Sequence, residues 1–137
     1  MTSKILEQTF ILIKPDGVQR GLIGEIISRF EKKGYTLTKI YRRMMDKEFA
    51  MEHYKEHSKR EFFDDLVNSI ISGPIIAMEW EGEDVIQGSR SLIGATYPAD
   101  YKPGTIRGDF SSNIRKNLIH GSDNIESAKR EIELWFY

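Results

Sequence analysis

"QTFILIKPDGVQRGLIGEIISRFEKKGYTLTKIYRRMM", residues 8–45, changes its hydrophobic period twice, and those changes decide the fold. "QTFILIK" is a continuous apolar run of strand length, and "PDG" stops it because Pro15 cannot donate to a ladder and Asp16-Gly17 supplies a turn. Leu22, Ile23, Ile26, Ile27 and Phe30 then recur at helical spacing as far as Gly34, the expected C-cap. "YTLTKIYRRMM" alternates, as a second strand does.

The same alternation of period continues along the chain. "DKEFAMEHYKEH" opens on an N-cap type residue and reads as a helix, "FFDDLVNSII" as a second helical piece, and "GPIIAMEW" as a third strand. "GEDVIQGSRSLIG" reads as another helix, and Thr96 to Asp109, "TYPADYKPGTIRGD", has no periodicity, so it is either a functional loop or holds elements the periodicity does not reveal. A short apolar stretch, "NLI", leads to His120, and an amphipathic helix ends the sequence. This order predicts an α/β (α+β) two-layer sandwich, a ferredoxin-like antiparallel sheet with helices packed on it. No repeat or linker divides residues 1–137, so one domain is expected.

Composition narrows the function classes. With 137 residues, 39% of them hydrophobic, the chain can bury one sizeable core. Twenty Lys and Arg against 21 Asp and Glu give a formal charge of −1, without the basic excess that drives non-specific nucleic-acid binding. There is no cysteine, hence neither a disulfide framework nor a thiolate metal site, as suits a reducing cytosol. The apolar run at the N-terminus is interrupted by Glu7 and Gln8 and is too short for a secretory or spanning segment. The expectation is a cytoplasmic protein without a membrane partner.

The last helix carries the first chemical signal. Ser122 or Asp123 can cap it, and Asp123 with Glu126 fits a capping-box spacing. Ile125, Ala128, Ile132, Trp135 and Phe136 form one apolar stripe, with Glu131 at its edge and so half-buried. From there a carboxylate could hold one ring nitrogen of His120 and leave the other as a nucleophile, with Gly121 removing bulk where a substrate approaches. The alternative is a partly buried strand-end histidine and a solvated helix charge.

Cations stand where a phosphate reagent needs them: Lys14 at the end of the first strand, Arg90 in a helix, Arg107 closing the irregular loop that Thr96 opens. Together they could form a pocket for a polyphosphate. "GVQRGLIG" lacks the Lys-Ser/Thr ending of a Walker A loop, and Gly17, Gly21 and Gly24 do not match GxGxxG. Two rival readings come from other classes. "HYKEH", His53 to His57, fits H-x-x-E-H, which on a helix would put two histidines on one face as zinc ligands. A ferredoxin-like sheet can also bind RNA, although the aromatic pattern of an RNA-recognition sheet is missing.

Taken in order, "IKPDGVQRGLIGEII", "HY", "FF", "SGP", "PAD", "KPGTIRGDF", "NLIHGSD" and "SAKREIELWF" resemble a nucleoside diphosphate kinase over nearly the whole chain, and N-x-x-H-G-S-D is highly specific. The resemblance implies ping-pong transfer of the γ-phosphate of a nucleoside triphosphate, typically ATP, to a nucleoside diphosphate through a phosphohistidine, with broad base and sugar tolerance. His120 matches the nucleophile, and Glu131, assisted by Ser122, matches the group that orients it. Lys14, Tyr54, Arg90, Thr96, Arg107 and Asn117 match residues around the phosphates and ribose. Phe62 matches the aromatic that stacks on the base and Ile114 the apolar residue opposite. Mg²⁺ is implied on the nucleotide phosphates, not in a protein cage. Glu61, Arg115 and Lys116 depart from the family pattern beside the base. The sequence ends at Tyr137, where many members continue into a tail that contacts a neighbouring subunit; a homo-oligomer is implied, as a hexamer, tetramer or dimer.

Overall fold

The computed structural model describes residues 6–114 and 116–137; the first five residues and the departure at Arg115 lie outside the described residues. Strands β1 (Leu6–Ile13), β2 (Thr36–Arg43), β3 (Ile75–Glu83) and β4 (Ile119–Gly121) form one sheet in the order β2-β3-β1-β4. Every neighbouring pair is antiparallel. This is the strand order expected of a ferredoxin-like fold, and it puts β1 and β3, the two most apolar strands, in the centre.

Central position explains why β1 shows no alternation: it is covered on both faces. Ile11 and Ile13 pack with Ile26 and Phe30 of α2 (Ile23–Lys33) and with Val85, Ile86 and Ile93 of α5 (Val85–Ile93). On the other face, Phe10 and Leu12 meet α3 (Lys47–His53), α4 (Phe63–Ile70) and α7 (Ile125–Phe136) through Ala50, Val67, Ile70, Ile132 and Trp135. Phe10 stacks on Trp135 at 5.2 Å, and both are buried. Truncating such an aromatic to alanine typically removes about 3–5 kcal/mol of stability.

Several local expectations are met. Helix α2 ends where Gly34 turns left-handed at φ 102°, with Lys32 and Lys33 in the last turn against the helix dipole. Asp46 caps α3, accepting from Phe49 N at 2.7 Å.

Others are corrected. "PDG" does not simply turn: Pro15–Gln19 winds into a short helix, α1, because proline at the first helical position loses no hydrogen bond and has its φ preset. The stretch from Thr96 to Asp109 is not structureless. Pro98–Asp100 forms a 3₁₀ turn, and Ile106–Phe110 forms α6, capped by the Thr105 hydroxyl on Gly108 N at 2.9 Å. Elements this short carry no periodic signal. The cap of α7 is neither Ser122 nor Asp123 but Asn124, whose side chain accepts from Ser127 N at 2.8 Å. Ile125 is half exposed and so falls outside the buried stripe. "HYKEH" is not one helix either, since α3 ends at His53 and Lys55–His57 is a separate 3₁₀ turn. No helix among the described residues is long and apolar enough to cross a membrane.

Candidate active site

Register places His120. It sits in β4 directly opposite Leu12, so its side chain shares Leu12's face of the sheet, toward α3 and α7, while Ile119 and Gly121 face α5. Gly121 serves packing as well as lining the pocket before His120: a Cβ there would meet Ile93 Cδ1 at 2.6 Å and Ile11 Cδ1 at 3.2 Å. The turn into β4 is strained. Leu118 is buried at φ 76°, held by its N–H to Asp16 Oδ2 at 3.1 Å and by its carbonyl, which accepts from Lys14 N at 2.8 Å. Burial pushes the Asp16 carboxyl up from its ordinary value.

Helix α7 brings Glu131 to the histidine. Its two carboxylate oxygens lie 2.8 and 2.9 Å from His120 Nε2, and Oε1 also accepts from the Ser122 hydroxyl at 2.9 Å. Glu131 is only 4% exposed, deeper than its place at the edge of the helix stripe suggested. A carboxylate accepts from the ring, so Nε2 carries a proton, and in the neutral imidazole the lone pair is then on Nδ1.

A pocket of about 400 Å³ opens in front of His120 and is lined by Lys14, Tyr54, Phe62, Arg90, Thr96, Arg107, Ile114, Asn117 and Glu131; Ser122 is not in its lining but bonds Glu131. That volume suits a small organic ligand. Lys14 reaches it from the end of β1 and donates to Asn117 Oδ1 at 2.8 Å. Arg107, 5% exposed, is built in by carbonyls: Ile119 O accepts at 2.8 Å, and Asn117, Gly94 and Ala95 O accept at 3.4 Å. None of these partners is a carboxylate, so the guanidinium keeps its charge for an incoming anion. Burial, then the neighbouring Arg90, brings its pKa down to about 10, still fully cationic at neutral pH. Arg90 pairs at the rim with Asp123 at 3.2 Å. Burial, followed by Glu131, pushes the Tyr54 hydroxyl far up, leaving it a neutral donor.

Phe62, Thr96 and Ile114 line the same pocket, and Arg60 lies 5.7 Å over the Phe62 ring. A larger groove of about 1230 Å³ lies elsewhere, between the start of β1 and α7. Among the described residues its lining sets Glu7, Glu83, Asp84 and Glu133 against Lys129, the wrong charge for phosphates.

Sequence reasoning missed His53, His57 and Arg130 as lining residues. His53 packs its ring 4.9 Å from that of His120 at 77°, and Arg130 bonds the carbonyls of Glu52 and His53, tying α7 to α3. The "HY" pair held the only signal, and it drew notice for Tyr54 and for a zinc motif. Among the described residues no group of three or more His, Cys, Asp or Glu could hold a metal ion.

A carboxylate-anchored imidazole at the floor of a cation-lined pocket is the site of an enzyme that handles phosphate. The family model for nucleoside diphosphate kinase matches residues 7–137. A nucleoside diphosphate kinase of an Exiguobacterium species is 57% identical over 131 residues, 96% of this chain and 94% of its own. One from Helianthus annuus is 60% identical over 131 residues, 96% of this chain and 88% of its own. Among solved structures, the enzyme of Halobacterium salinarum in complex with CDP superposes with a TM-score of 0.92 at 51% identity, covering 95% of this chain and 87% of the other. The apo enzyme of Encephalitozoon cuniculi gives 0.93 at 45% identity, covering 95% and 88%. The chain belongs to the nucleoside diphosphate kinase family, and its activity is that family's phosphotransfer.

Proposed function

We propose that the pocket before His120 carries out both halves of a ping-pong transfer. In the first half the Nδ1 lone pair attacks Pγ of a nucleoside triphosphate, the bond from Pγ to the bridging oxygen breaks, and the diphosphate leaves with the electron pair. The second half is the reverse onto a different nucleoside diphosphate, which returns Nδ1 to its free state. The observation that carries this reading is the hold of Glu131 on Nε2, which leaves Nδ1 as the basic nitrogen and offsets the positive charge that the ring acquires on phosphorylation.

Lys14, Arg90 and Arg107 supply cationic donors for the phosphate oxygens, and the neutral Tyr54 hydroxyl adds another. In-line transfer needs little beyond such positioning and charge. Thr96 and Asn117 contribute hydrogen bonds to the phosphates and ribose, and Phe62 and Ile114 bracket the base. Stacking accepts any base, so both purines and pyrimidines should serve; the CDP bound by the Halobacterium salinarum relative supports this. The donor chemistry fits a divalent cation brought in by the phosphates, since the lining is dominated by cations. Magnesium bound there neutralises phosphate charge.

We also read the protein as a cytoplasmic homo-oligomer, a hexamer or tetramer: edge strand β2 is uncovered on one side, and its Ile40 is half exposed.

Incubation with γ-labelled ATP and Mg²⁺ tests the mechanism. We expect an acid-labile, alkali-stable phosphoprotein whose label is discharged by GDP or CDP and is missing in His120→Ala. Retained ping-pong turnover in that variant would overturn the assignment.

A further inference from the structure

His53 is a puzzle of satisfaction. It is 4% exposed at the end of α3, and Trp135 Nε1–H donates to its Nδ1 at 3.1 Å. An indole nitrogen can only donate, so Nδ1 must hold a lone pair and the ring is the neutral Nε2–H tautomer. That Nε2–H is buried and has no acceptor among the described residues. Leaving a buried donor unmet is unfavourable, so an acceptor for this N–H is called for. The ring does not sit in an ordinary stretch of core. It lines the pocket with Lys14 and Arg107 and lies edge-on to His120.

We propose that the Nε2–H of His53 is a donor reserved for the phosphoryl group carried by His120. Trp135 fixes which nitrogen bears the proton, so the donor is in place before the substrate arrives. A phosphoryl group on His120 Nδ1 would bring acceptor oxygens into the space beside the two rings, whose centroids lie 4.9 Å apart. This places His53 beside the cations and Tyr54 as a further neutral contact, one that adds no charge to the site. Burial, with the charges of His120, Arg130, Lys14 and His57, holds its pKa well below the ordinary imidazole value, consistent with that neutral state.

The inference rests on the phosphohistidine reading above, and the test separates the two. Asparagine at this position can keep an acceptor for Trp135 while losing the far donor, whereas glutamine can return an N–H near the position of Nε2. Single-turnover labelling with γ-labelled ATP should therefore fall roughly tenfold or more in His53→Asn, the scale of one donor lost from a transferring group, with ADP affinity unchanged. His53→Gln should recover most of the rate. Equal losses in both variants, or no loss in His53→Asn, would overturn the proposal while leaving His120 as the nucleophile. Absence of label in the unmodified protein would overturn the phosphohistidine reading and this inference with it. The intact protein gives an answer independent of folding of the variants. In ¹⁵N-histidine spectra the His53 Nε2–H signal should shift downfield when His120 is phosphorylated, and an unchanged signal counts against the bond.

Discussion

Both carboxylate oxygens of Glu131 contact the same nitrogen of His120, at 2.8 and 2.9 Å, from a position almost sealed from solvent. The contact does two things at once: it orients the ring and places a negative charge where phosphorylation makes the ring positive. Glu131→Gln removes the charge and leaves one acceptor oxygen where Nε2–H now meets two. We expect kcat/KM to fall by roughly 100-fold or more, between the loss of a partner behind a metal-bound histidine and the roughly 10⁴-fold loss on neutralising the aspartate of a catalytic triad, with most of the change in kcat. Steady-state kinetics check this, and an unchanged kcat would reduce Glu131 to a structural role.

Arg107 is anchored by four carbonyl groups and has no carboxylate partner among them. Arg107→Ala should remove on the order of 3 kcal/mol of transition-state stabilisation, by analogy with loss of one oxyanion donor. It should also lower the melting temperature, because the carbonyls of Asn117 and Ile119 lose their bonds to the guanidinium. An unchanged kcat/KM would place Arg107 outside the transfer step.

Stability should fall on acidification, and His53 gives the sign. Burial keeps its pKa well below the ordinary 6.5 in the folded protein, so below that pH the unfolded chain takes up a proton that the folded chain refuses. The stability is fully present above 6.5 and is lost as pH falls toward the folded value, with a slope of at most about 1.4 kcal/mol per pH unit. His57 is shifted in the same direction, again chiefly by burial. Urea unfolding between about pH 7.5 and pH 5 measures the slope. In His53→Asn much of it should vanish, and an undiminished slope would assign the acid sensitivity elsewhere.

What the sequence disclosed, and what it withheld, follows from the range over which each feature is determined. Strand β1, helix α2 and its Gly34 cap are set by residues within a few positions of one another, and they were legible. So was the partnership of His120 and Glu131, because helix periodicity turns Glu131 toward the start of α7, beside the strand that carries the histidine. Helices α1 and α6 have only five residues each, less than two turns, so periodicity had nothing to act on. The cap of α7 depended on backbone angles: Ser122, Asp123 and Asn124 are all capping types, and only Asn124 has its side chain on an orphan N–H. His53 was invisible as a site residue because its meeting with Trp135 and His120 joins residues 82 positions apart and a β4 neighbour placed by sheet register.

Phe62 and Ile114 both line the pocket, and Phe62 carries Arg60 over its ring at 5.7 Å. Removing the ring should cost stacking of about 1–3 kcal/mol for every base alike. Phe62→Ala is therefore expected to raise KM for adenine, guanine and cytosine nucleotides by similar factors while kcat changes little. A loss confined to one base would mean that base edges, not the ring face, are being read.

The correction at the start of α7 yields the last prediction. Asn124 accepts from Ser127 N at 2.8 Å, whereas Asp123 points away from the helix to an ion pair with Arg90 and is largely exposed. Asn124→Ala should therefore lower stability by about 1 kcal/mol, the usual cost of a lost N-cap. Asp123→Ala should leave it within about 0.5 kcal/mol, since an exposed ion pair contributes little. The two variants should separate differently in kinetics. Asp123→Ala frees Arg90 at the pocket rim and should alter KM, while Asn124→Ala acts only through the anchoring of α7, and so through the hold of Glu131 on His120. Equal destabilisation by the two, measured by chemical denaturation, would return the cap to Asp123.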